Sequence, residues 1–273
     1  FVGATLNGTE DAYFGYIFGA PSYSYNDDYV PASLKEVIIT GGDSIGSYAF
    51  RGCSGLTSIV IPDSVTSIGA YAFYNCNSLT SMVIPDSVTS IGSYAFRGCN
   101  SLTNITIPFV GATLNGTEDA YFGYIFGASS YSYNDDYVPS SLKEVIITGG
   151  DSIGYSAFLG CDGLMSIVIS DSVTSIGSYA FEDCSSLTSI VILDSVTSIN
   201  DYAFLDCSLL ETVYYGGTGR DWSEISIGSN NDDLTAATLC YYSETQPTED
   251  GNFWHYAEAV SYTHLRAHET LSD

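Results

Sequence analysis

The sequence has very few basic residues. Against 32 Asp and Glu there are only 6 Lys and Arg, so the formal net charge is -26. The six cations are scattered along the chain: Lys35, Arg51, Arg97, Lys143, Arg220 and Arg266. Phosphate groups are bound through clustered Lys and Arg, and a surface this negative repels them. The composition therefore argues against nucleic acid and anionic membranes as partners.

Long apolar runs are also lacking. No stretch approaches the ~20 consecutive apolar residues that a membrane helix needs, so no membrane insertion is expected. The N-terminus, Phe1-Val2-Gly3, shows neither an initiating Met nor the charged and then apolar segment of a secretory signal. The repeat described next predicts that the sequence begins inside a repeat, and this weakens any argument about the compartment.

Cysteine marks an internal repeat. Six of the seven cysteines recur at intervals of 23 residues, in two sets of three: Cys53, Cys76, Cys99, Cys161, Cys184 and Cys207. One unit runs from Leu56 to Cys76, and related units begin at further leucines: Leu79, Leu102, Leu164, Leu187 and Leu210. Degenerate units begin at Leu34 and Leu142. Repetition at this period is typical of stacked repeat architectures.

The pattern within a unit predicts its local structure. Ile59 and Ile61 alternate with polar or outward residues, which is the period of two of a strand with one buried face. Pro62 then ends the strand, because proline cannot continue the hydrogen-bond ladder. Each unit offers about eight apolar groups, too few for a core, so the units must stack. Eight stacked strands at ~4.8 Å predict a solenoid on the order of 40 Å long.

A longer duplication overlies the short one. Residues 109–154 repeat residues 1–46 with two differences, Pro21 against Ser129 and Ala32 against Ser140. Residues 1–33 and 109–141 break the 23-residue rhythm, and we call them the first and the second island. Each island contains Phe-Gly-Tyr-Ile-Phe-Gly followed by a run rich in Tyr and Asp. Residues 34–108 and 142–215 are predicted to be regular coils.

The C-terminal part departs from the repeat. Residues 216–256 are predicted to form the atypical last unit that covers the end of a solenoid, with bulk from Trp222, Phe253 and Trp254. Residues 257–273 resemble translated sequencing-adapter sequence and are excluded from fold reasoning. His264 and His268 in this segment lack a third ligand, so they do not predict a zinc site.

The repeat also carries a family resemblance. Units ending Ile-Gly-Ser-Tyr-Ala-Phe-x-x-Cys, followed by Ser-Leu-Thr-x-Ile-x-Ile-Pro, resemble BspA-like leucine-rich repeats, as do the islands, over about residues 1–256. The resemblance implies a leucine-rich-repeat solenoid with parallel strands on one face. It also implies a secreted or cell-surface protein of anaerobic, gut-type bacteria. Members implicated in function act as adhesins toward host matrix or other cells. For this chain we therefore expect adhesin-like recognition of host matrix protein, mucin or glycan, or other cells, and no cofactor.

Two ladders of polar side chains follow from stacking. Six cysteines at equivalent positions predict a buried thiol ladder, because free Cys behaves as a small apolar residue. Disulfide bridging between neighbouring coils stays open as an alternative.

Four acids follow the strands at equivalent positions of four units: Asp63, Asp86, Asp171 and Asp194. We expect each to form a turn and accept backbone N–H bonds. Weak calcium binding is the alternative, since calcium prefers several oxygen ligands.

Two surfaces are candidates for recognition. The solvent face of the strands is expected to be small, flat and nearly uncharged: Glu36, Ile38, Ser58, Val60, Ser81, Val83, Asn104, Thr106, Ser166, Val168, Ser189, Val191, Thr212 and Tyr214. The islands offer stronger candidates: Tyr23, Tyr25, Asp27, Asp28, Tyr29, Tyr131, Tyr133, Asp135, Asp136 and Tyr137. Tyrosine gives a large contact area at small entropic cost. The alternative, that these tyrosines pack the islands onto the solenoid, stays open.

The function expected from these features is binding. No acid/base pair, phosphate loop or catalytic triad stands out, so we expect a non-catalytic scaffold. Its partner would be an extracellular protein or glycan, and two near-identical islands would gain avidity from multiplicity. The alternative is a structural surface stalk that spaces other domains.

Overall fold

A computed structural model describes residues 13–243 and 253–254 of the chain. Over these residues the chain winds into a solenoid whose parallel strands form two rows, the first and the second sheet, each of which is divided into two parts. The predicted leucine-rich-repeat solenoid is therefore confirmed. The start of the first island, most of residues 244–256 and the adapter-like segment with its two histidines lie outside the described residues. The predicted boundaries of coils, islands and cap stay predictions.

The first sheet holds the longer strands, one from each coil. Glu36–Ile38 pairs with Ser58–Val60, and eight further strands form a continuous parallel group. In chain order these are Ser81–Val83, Asn104–Ile107, Glu144–Ile147, Ser166–Val168, Ser189–Ile192, Thr212–Tyr215, Thr238–Tyr242 and Phe253–Trp254. All eight strands predicted from the leucine frames are present, and the cap strand Thr238–Tyr242 joins the same sheet.

The second sheet consists of two-residue strands that lie later in each coil. In chain order these are Ser44–Ile45, Ser67–Ile68, Ser90–Ile91, Ser152–Ile153, Ser175–Ile176, Ser198–Ile199 and Ser226–Ile227. The register follows the repeat, since Ser67 pairs with Ser44 on one side and with Ser90 on the other. The sheet is interrupted between Ile91 and Ser152, where the second island enters.

The helical segments are short and lie in the islands and the cap. The islands contain 3-10 turns at Phe14–Phe18, Tyr23–Tyr25, Phe122–Phe126 and Tyr131–Tyr133, and α-helical turns at Asn26–Tyr29 and Asn134–Tyr137. The cap contains the helices Gly219–Glu224 and Asp232–Ala236. None of the helices in the described part of the chain has the length and apolarity that spanning a bilayer requires.

The region predicted to form the cap begins with a well-capped helix. Thr218 begins its first helix with a capping box, in which Thr218 and Asp221 each accept a backbone N–H bond from the other. This arrangement satisfies two donors that a helix start leaves unpaired. Trp222 packs edge-on against the buried Tyr215, with ring centroids 5.1 Å apart. Of the other two residues predicted to supply bulk, Phe253 is 39% exposed and the side chain of Trp254 lies outside the described part of the chain, whereas Leu234, which was not predicted, is buried.

A ladder of phenylalanines forms the centre of the core. Rings of successive coils stack nearly parallel, as in Phe50 on Phe73 at 5.3 Å and Phe73 on Phe96 at 5.2 Å. The same spacing recurs from Phe158 through Phe181 to Phe204. Backbone hydrogen bonds link the same coils, since Phe73 N–H donates to the carbonyl of Ala95 in the next coil at 2.7 Å. Each inner ring is therefore covered on both faces by the phenylalanines of the neighbouring coils.

The second island continues this ladder. Phe126 contacts Phe96 at 6.4 Å and Phe122 contacts Phe158 at 4.8 Å, so two island rings fill the step between regular coils. Phe96 N–H donates to Ile125 O at 2.9 Å, and Phe122 N–H donates to Ala157 O at 2.8 Å. The island thus takes the place of the returning half of a coil and is part of the core.

The cysteines form the predicted thiol ladder. All seven are free and buried. Four of the thiols donate to the carbonyl of the phenylalanine one coil earlier: Cys76 to Phe50 at 3.1 Å, Cys99 to Phe73 at 3.3 Å, Cys184 to Phe158 at 3.2 Å and Cys207 to Phe181 at 3.0 Å. Desolvation by burial raises the pKa of Cys99 from 9.0 to about 12. Such thiols hold their protons and are poor nucleophiles.

Truncating the island phenylalanine should destabilise the solenoid as a core truncation does. We expect Phe126→Ala to lower the free energy of unfolding by about 3–5 kcal/mol, because Phe126 is fully buried between coils. Phe18→Ala is the matched control, since the same residue of the first island is 38% exposed. In urea titrations, Phe18→Ala should lower the free energy of unfolding by less than half as much as Phe126→Ala does. Equal, small losses would contradict a core role for the second island.

The thiol ladder predicts a loss of stability in alkali. The folded pKa of Cys99 is raised to about 12, so its contribution is full below about pH 9, the unfolded value. It is lost as the pH rises toward 12, because only the unfolded chain releases the proton. The melting temperature should therefore fall between about pH 9 and pH 11. Cys99→Ala should fall less over that window; an identical fall would contradict the linkage.

Candidate functional site

A buried asparagine fastens each island to the solenoid. Asn134 Oδ1 accepts from the backbone of Gly123 at 2.9 Å, and its Nδ2 donates to Ala157 O at 3.3 Å. Asn26 makes the equivalent bonds in the first island. Both side chains are fully buried. A Cβ on Gly123 would lie 2.5 Å from Asn134 Oδ1, so only glycine fits there. The helical turn that begins at each asparagine is therefore held firmly.

The predicted site residues lie on these fastened segments. In each island they occupy a 3-10 turn and the helical turn after it: Tyr23, Tyr25, Asp27, Asp28 and Tyr29, then Tyr131, Tyr133, Asp135, Asp136 and Tyr137. Five of the six tyrosines are exposed by 37% to 47%. The four aspartates are exposed as well. The structure brings each group of five together, and residues 34–108 separate the two groups along the chain.

A surface ladder of tyrosines starts at the first island. Tyr23 stacks on Tyr48 with centroids 4.2 Å apart, and the series continues to Tyr71 at 4.9 Å and Tyr94 at 4.8 Å. Desolvation, followed by the neighbouring Tyr94 and Tyr48, raises the pKa of the Tyr71 hydroxyl. Sequence reasoning missed these coil tyrosines. Their spacing of 23 residues was the signal that would have found them.

The ladder depends on an unusual backbone. Tyr48, Tyr71 and Tyr94 have φ values of 61°, 58° and 60°, in the left-handed region that bulky residues rarely occupy. Each lies directly before the buried Ala-Phe pair of its coil. The stacked rings supply contacts that offset this strain, since aromatic pairs contribute about 0.5–1.5 kcal/mol beyond buried area.

The second island meets a different neighbour. The coil after it carries Tyr155-Ser156 where the coil after the first island carries Ser47-Tyr48. Ser156 takes the left-handed position, with φ 50°. Tyr155 is displaced from the stack and contacts Tyr131 edge-on, at 5.5 Å and 79°. Regular stacking resumes only between Tyr179 and Tyr202, at 4.8 Å and 6°.

An arginine from the preceding coil covers part of the second island. The Arg97 guanidinium lies 5.2 Å from the Tyr137 ring centroid and 5.5 Å from that of Tyr94. Both distances suit a cation–π contact. Tyr137 is half-buried as a result, whereas the equivalent Tyr29 is 43% exposed. Tyr137 therefore packs against the solenoid, as Tyr23 does on Tyr48 and Tyr131 does on Tyr155.

A polar groove of about 710 Å³ opens between the second island and the coil that follows it. Tyr131 and Tyr155 line it together with two carboxylates, Asp119 and Asp151. Asn115 Oδ1 accepts from the backbone N–H of Asp151 at 3.0 Å and so links island and coil. Desolvation, followed by the nearby Asp119, raises the pKa of Tyr121 to about 12. The groove is an acidic cleft with exposed aromatic rings.

The expectation of an open strand face is wrong for its C-terminal half. Thr106, Val168 and Val191 are buried, with exposed fractions of 7%, 2% and 3%. Val168 and Val191 belong to a second apolar cluster with Ile146 and Cys240, on which Leu193, Tyr214 and Tyr242 pack. In the N-terminal half the equivalent Ile38, Val60 and Val83 are exposed. The period of two identifies the outward side of a strand but not its burial.

The aspartates that follow the strands do not make the predicted hydrogen bonds to backbone N–H groups. Asp86 accepts from the Thr148 hydroxyl and Asp171 from the Ser170 hydroxyl, rather than from backbone N–H groups. The serine after each aspartate donates to a carbonyl of the preceding coil, as Ser64 Oγ does to Gly42 O at 2.7 Å. Among the described residues, no group of three or more His, Cys, Asp or Glu is arranged to hold a metal ion. Weak calcium binding stays a prediction.

The two parallel sheets and the stacked ladders define a leucine-rich-repeat solenoid. The BspA type leucine rich repeat region family matches residues 26–126 and 129–230, in six copies. The chain belongs to this family.

Solved structures of bacterial leucine-rich-repeat proteins are similar to the chain. A Treponema pallidum protein shares 26% identity over 73% of this chain and 75% of its own, with a TM-score of 0.36. A leucine rich cell surface protein of Faecalibacterium prausnitzii shares 26% identity over 71% of this chain and 62% of its own, with a TM-score of 0.31. A Bacteroides ovatus protein shares 24% identity over 78% and 58%, with a TM-score of 0.43. No curated protein sequence matches the chain.

Removing the fastening asparagine should release the second island. Asn134→Ala leaves the N–H of Gly123 and the carbonyl of Ala157 buried without this partner. We expect a loss of about 1–3 kcal/mol in the free energy of unfolding. Asn134→Asp should also be destabilising, because a carboxylate accepts but cannot donate to Ala157. Urea titration measures both, and an unchanged Asn134→Asp would contradict the assigned bonds.

Proposed function

We propose that the chain is a non-catalytic recognition module, cell-surface or secreted, that binds an extracellular protein or glycan through its islands. The observation that carries the proposal is the exposure of five island tyrosines, by 37% to 47%, on segments fastened by buried asparagines. Exposed rings on a rigid support bind at low entropic cost. Membership in a family of leucine-rich repeats supports a surface or protein-binding role.

The charge of the islands restricts the ligand. Two aspartates accompany the tyrosines in each island, and the whole chain has a net charge of -26. Acidic ligands are disfavoured, since like charges across an interface cost free energy. Neutral and basic ligands fit. Two islands on one chain would add avidity for a ligand that repeats its epitope.

Binding to a panel of host matrix proteins, mucins and neutral glycans tests the proposal, with and without calcium. Changing the six island tyrosines to Ser should raise the Kd at least about 30-fold, the loss expected from one aromatic hot spot. A control changes Met165 and Leu209 to Ser, because these are exposed apolar residues outside the islands. The control should bind as the unchanged chain does.

The outcomes separate the alternatives. Saturable binding that is lost only in the tyrosine variant supports the islands as the site. Binding that survives in both variants would exclude the islands. A well-folded chain that binds nothing in the panel would contradict recognition and favour a surface stalk. A gain of affinity with calcium would support the predicted weak calcium binding.

A further inference from the structure

The groove beside the second island has an aromatic wall. Tyr155 is 56% exposed, more than any other ring in either tyrosine ladder. Its contacts with Tyr131 and Tyr179 are edge-on, at 79° and 68°, whereas the inner rings Tyr48 and Tyr71 are covered on both faces by parallel neighbours. An exposed aromatic face is the surface on which an apolar ring face of a ligand packs.

The rest of the groove is polar and acceptor-rich. Asp119 and Asp151 line it as exposed carboxylates, which accept hydrogen bonds and donate none. The Asn115 oxygen is occupied by the Asp151 N–H, so its amide nitrogen remains to donate. The other lining residues are mostly Ser, Thr, Gly and Ala, with no Lys, Arg or His among the described ones. A ligand that fits must therefore donate several hydrogen bonds and carry no negative charge.

We propose that this groove binds a neutral saccharide, with one sugar face on the Tyr155 ring and its hydroxyls donating to Asp119 and Asp151. The inference rests on the proposed recognition function and specifies its ligand class. A volume of about 710 Å³ lies within the range of ligand clefts. An apolar peptide anchor fits less well, because the groove is lined mostly by Ser, Thr, Gly and the two carboxylates. Acidic sugars are excluded by the two carboxylates.

The sequence supplies a natural comparison for this site. Tyr155-Ser156 is the transposed form of the Ser-Tyr pair that other coils carry, as at Ser47-Tyr48 and Ser178-Tyr179. In the regular order the tyrosine joins the stack, as Tyr48 does on Tyr23. In the transposed order Tyr155 lines the groove. The transposition is therefore the change that gives the groove its most exposed ring.

Restoring the regular order tests the proposal. The double variant Tyr155→Ser with Ser156→Tyr keeps composition and charge and installs a sequence that the chain already folds elsewhere. Its melting temperature should be unchanged or higher. Titration calorimetry with cellotriose, maltotriose, mannotriose and triacetylchitotriose should show binding of at least one by the unchanged chain, and a Kd at least about 10-fold higher in the variant. Sialyllactose should bind to neither.

Two further variants localise the site. Asp151→Asn removes one strong acceptor and should weaken binding of the same trisaccharide at least about 10-fold. The control, Ser47→Tyr with Tyr48→Ser, makes the mirror-image change beside the first island and should leave that Kd unchanged.

Several results would overturn the proposal. They are binding of none of the four trisaccharides, binding that survives the swap at Tyr155, or capture of a cationic or proline-rich peptide at the groove instead. If the islands still bind a protein from the wider panel, the recognition function stands while the saccharide site fails.

Discussion

Every coil of this solenoid buries its apolar side chains only against the coil before it and the coil after it. A unit of 23 residues is too small to enclose a core, so stability depends on stacking the same residue at the same place in each coil. The phenylalanine ladder, the thiols that donate to the phenylalanine carbonyls and the paired serine-isoleucine strands all follow from that constraint. The same coil-to-coil repetition reaches the surface, where threonine hydroxyls donate to the carbonyl one coil earlier, as Thr89 does to Thr66.

The same constraint determines what an insertion must do. The second island fits between regular coils because Phe122 and Phe126 complete the ladder that it interrupts. The tyrosines and aspartates of its second half are not needed in the core, and most of them are exposed at the surface. Two islands of almost identical sequence acquire different surroundings from their neighbours. Arg97 covers Tyr137, and the transposed Tyr155 opens a groove that no stacked tyrosine lines.

The regular part of the fold was predictable from the sequence because its spacing is exact. The cysteine frames predicted the solenoid and the thiol ladder, and the leucine frames predicted the strands. The burial of Val168 and Val191 was not predictable, since alternation shows the side of a strand and not what packs on it. The tyrosine ladder was missed although its members recur every 23 residues, because the left-handed backbone that places Tyr71 in the stack cannot be inferred from the repeat pattern. The groove depends on which residues follow the island, so the island sequence alone could not reveal it.

Hydrogen exchange tests most directly the claim that the second island is part of the stacked core. The N–H groups of Phe96 and Phe122 donate across the island boundary to Ile125 and Ala157. Their exchange should be as slow as that of Phe73 and Phe158, because all four open only when the stack opens. Fast exchange at Phe96 and Phe122, with Phe73 and Phe158 still protected, would show that the island is only attached to the solenoid and would contradict the account.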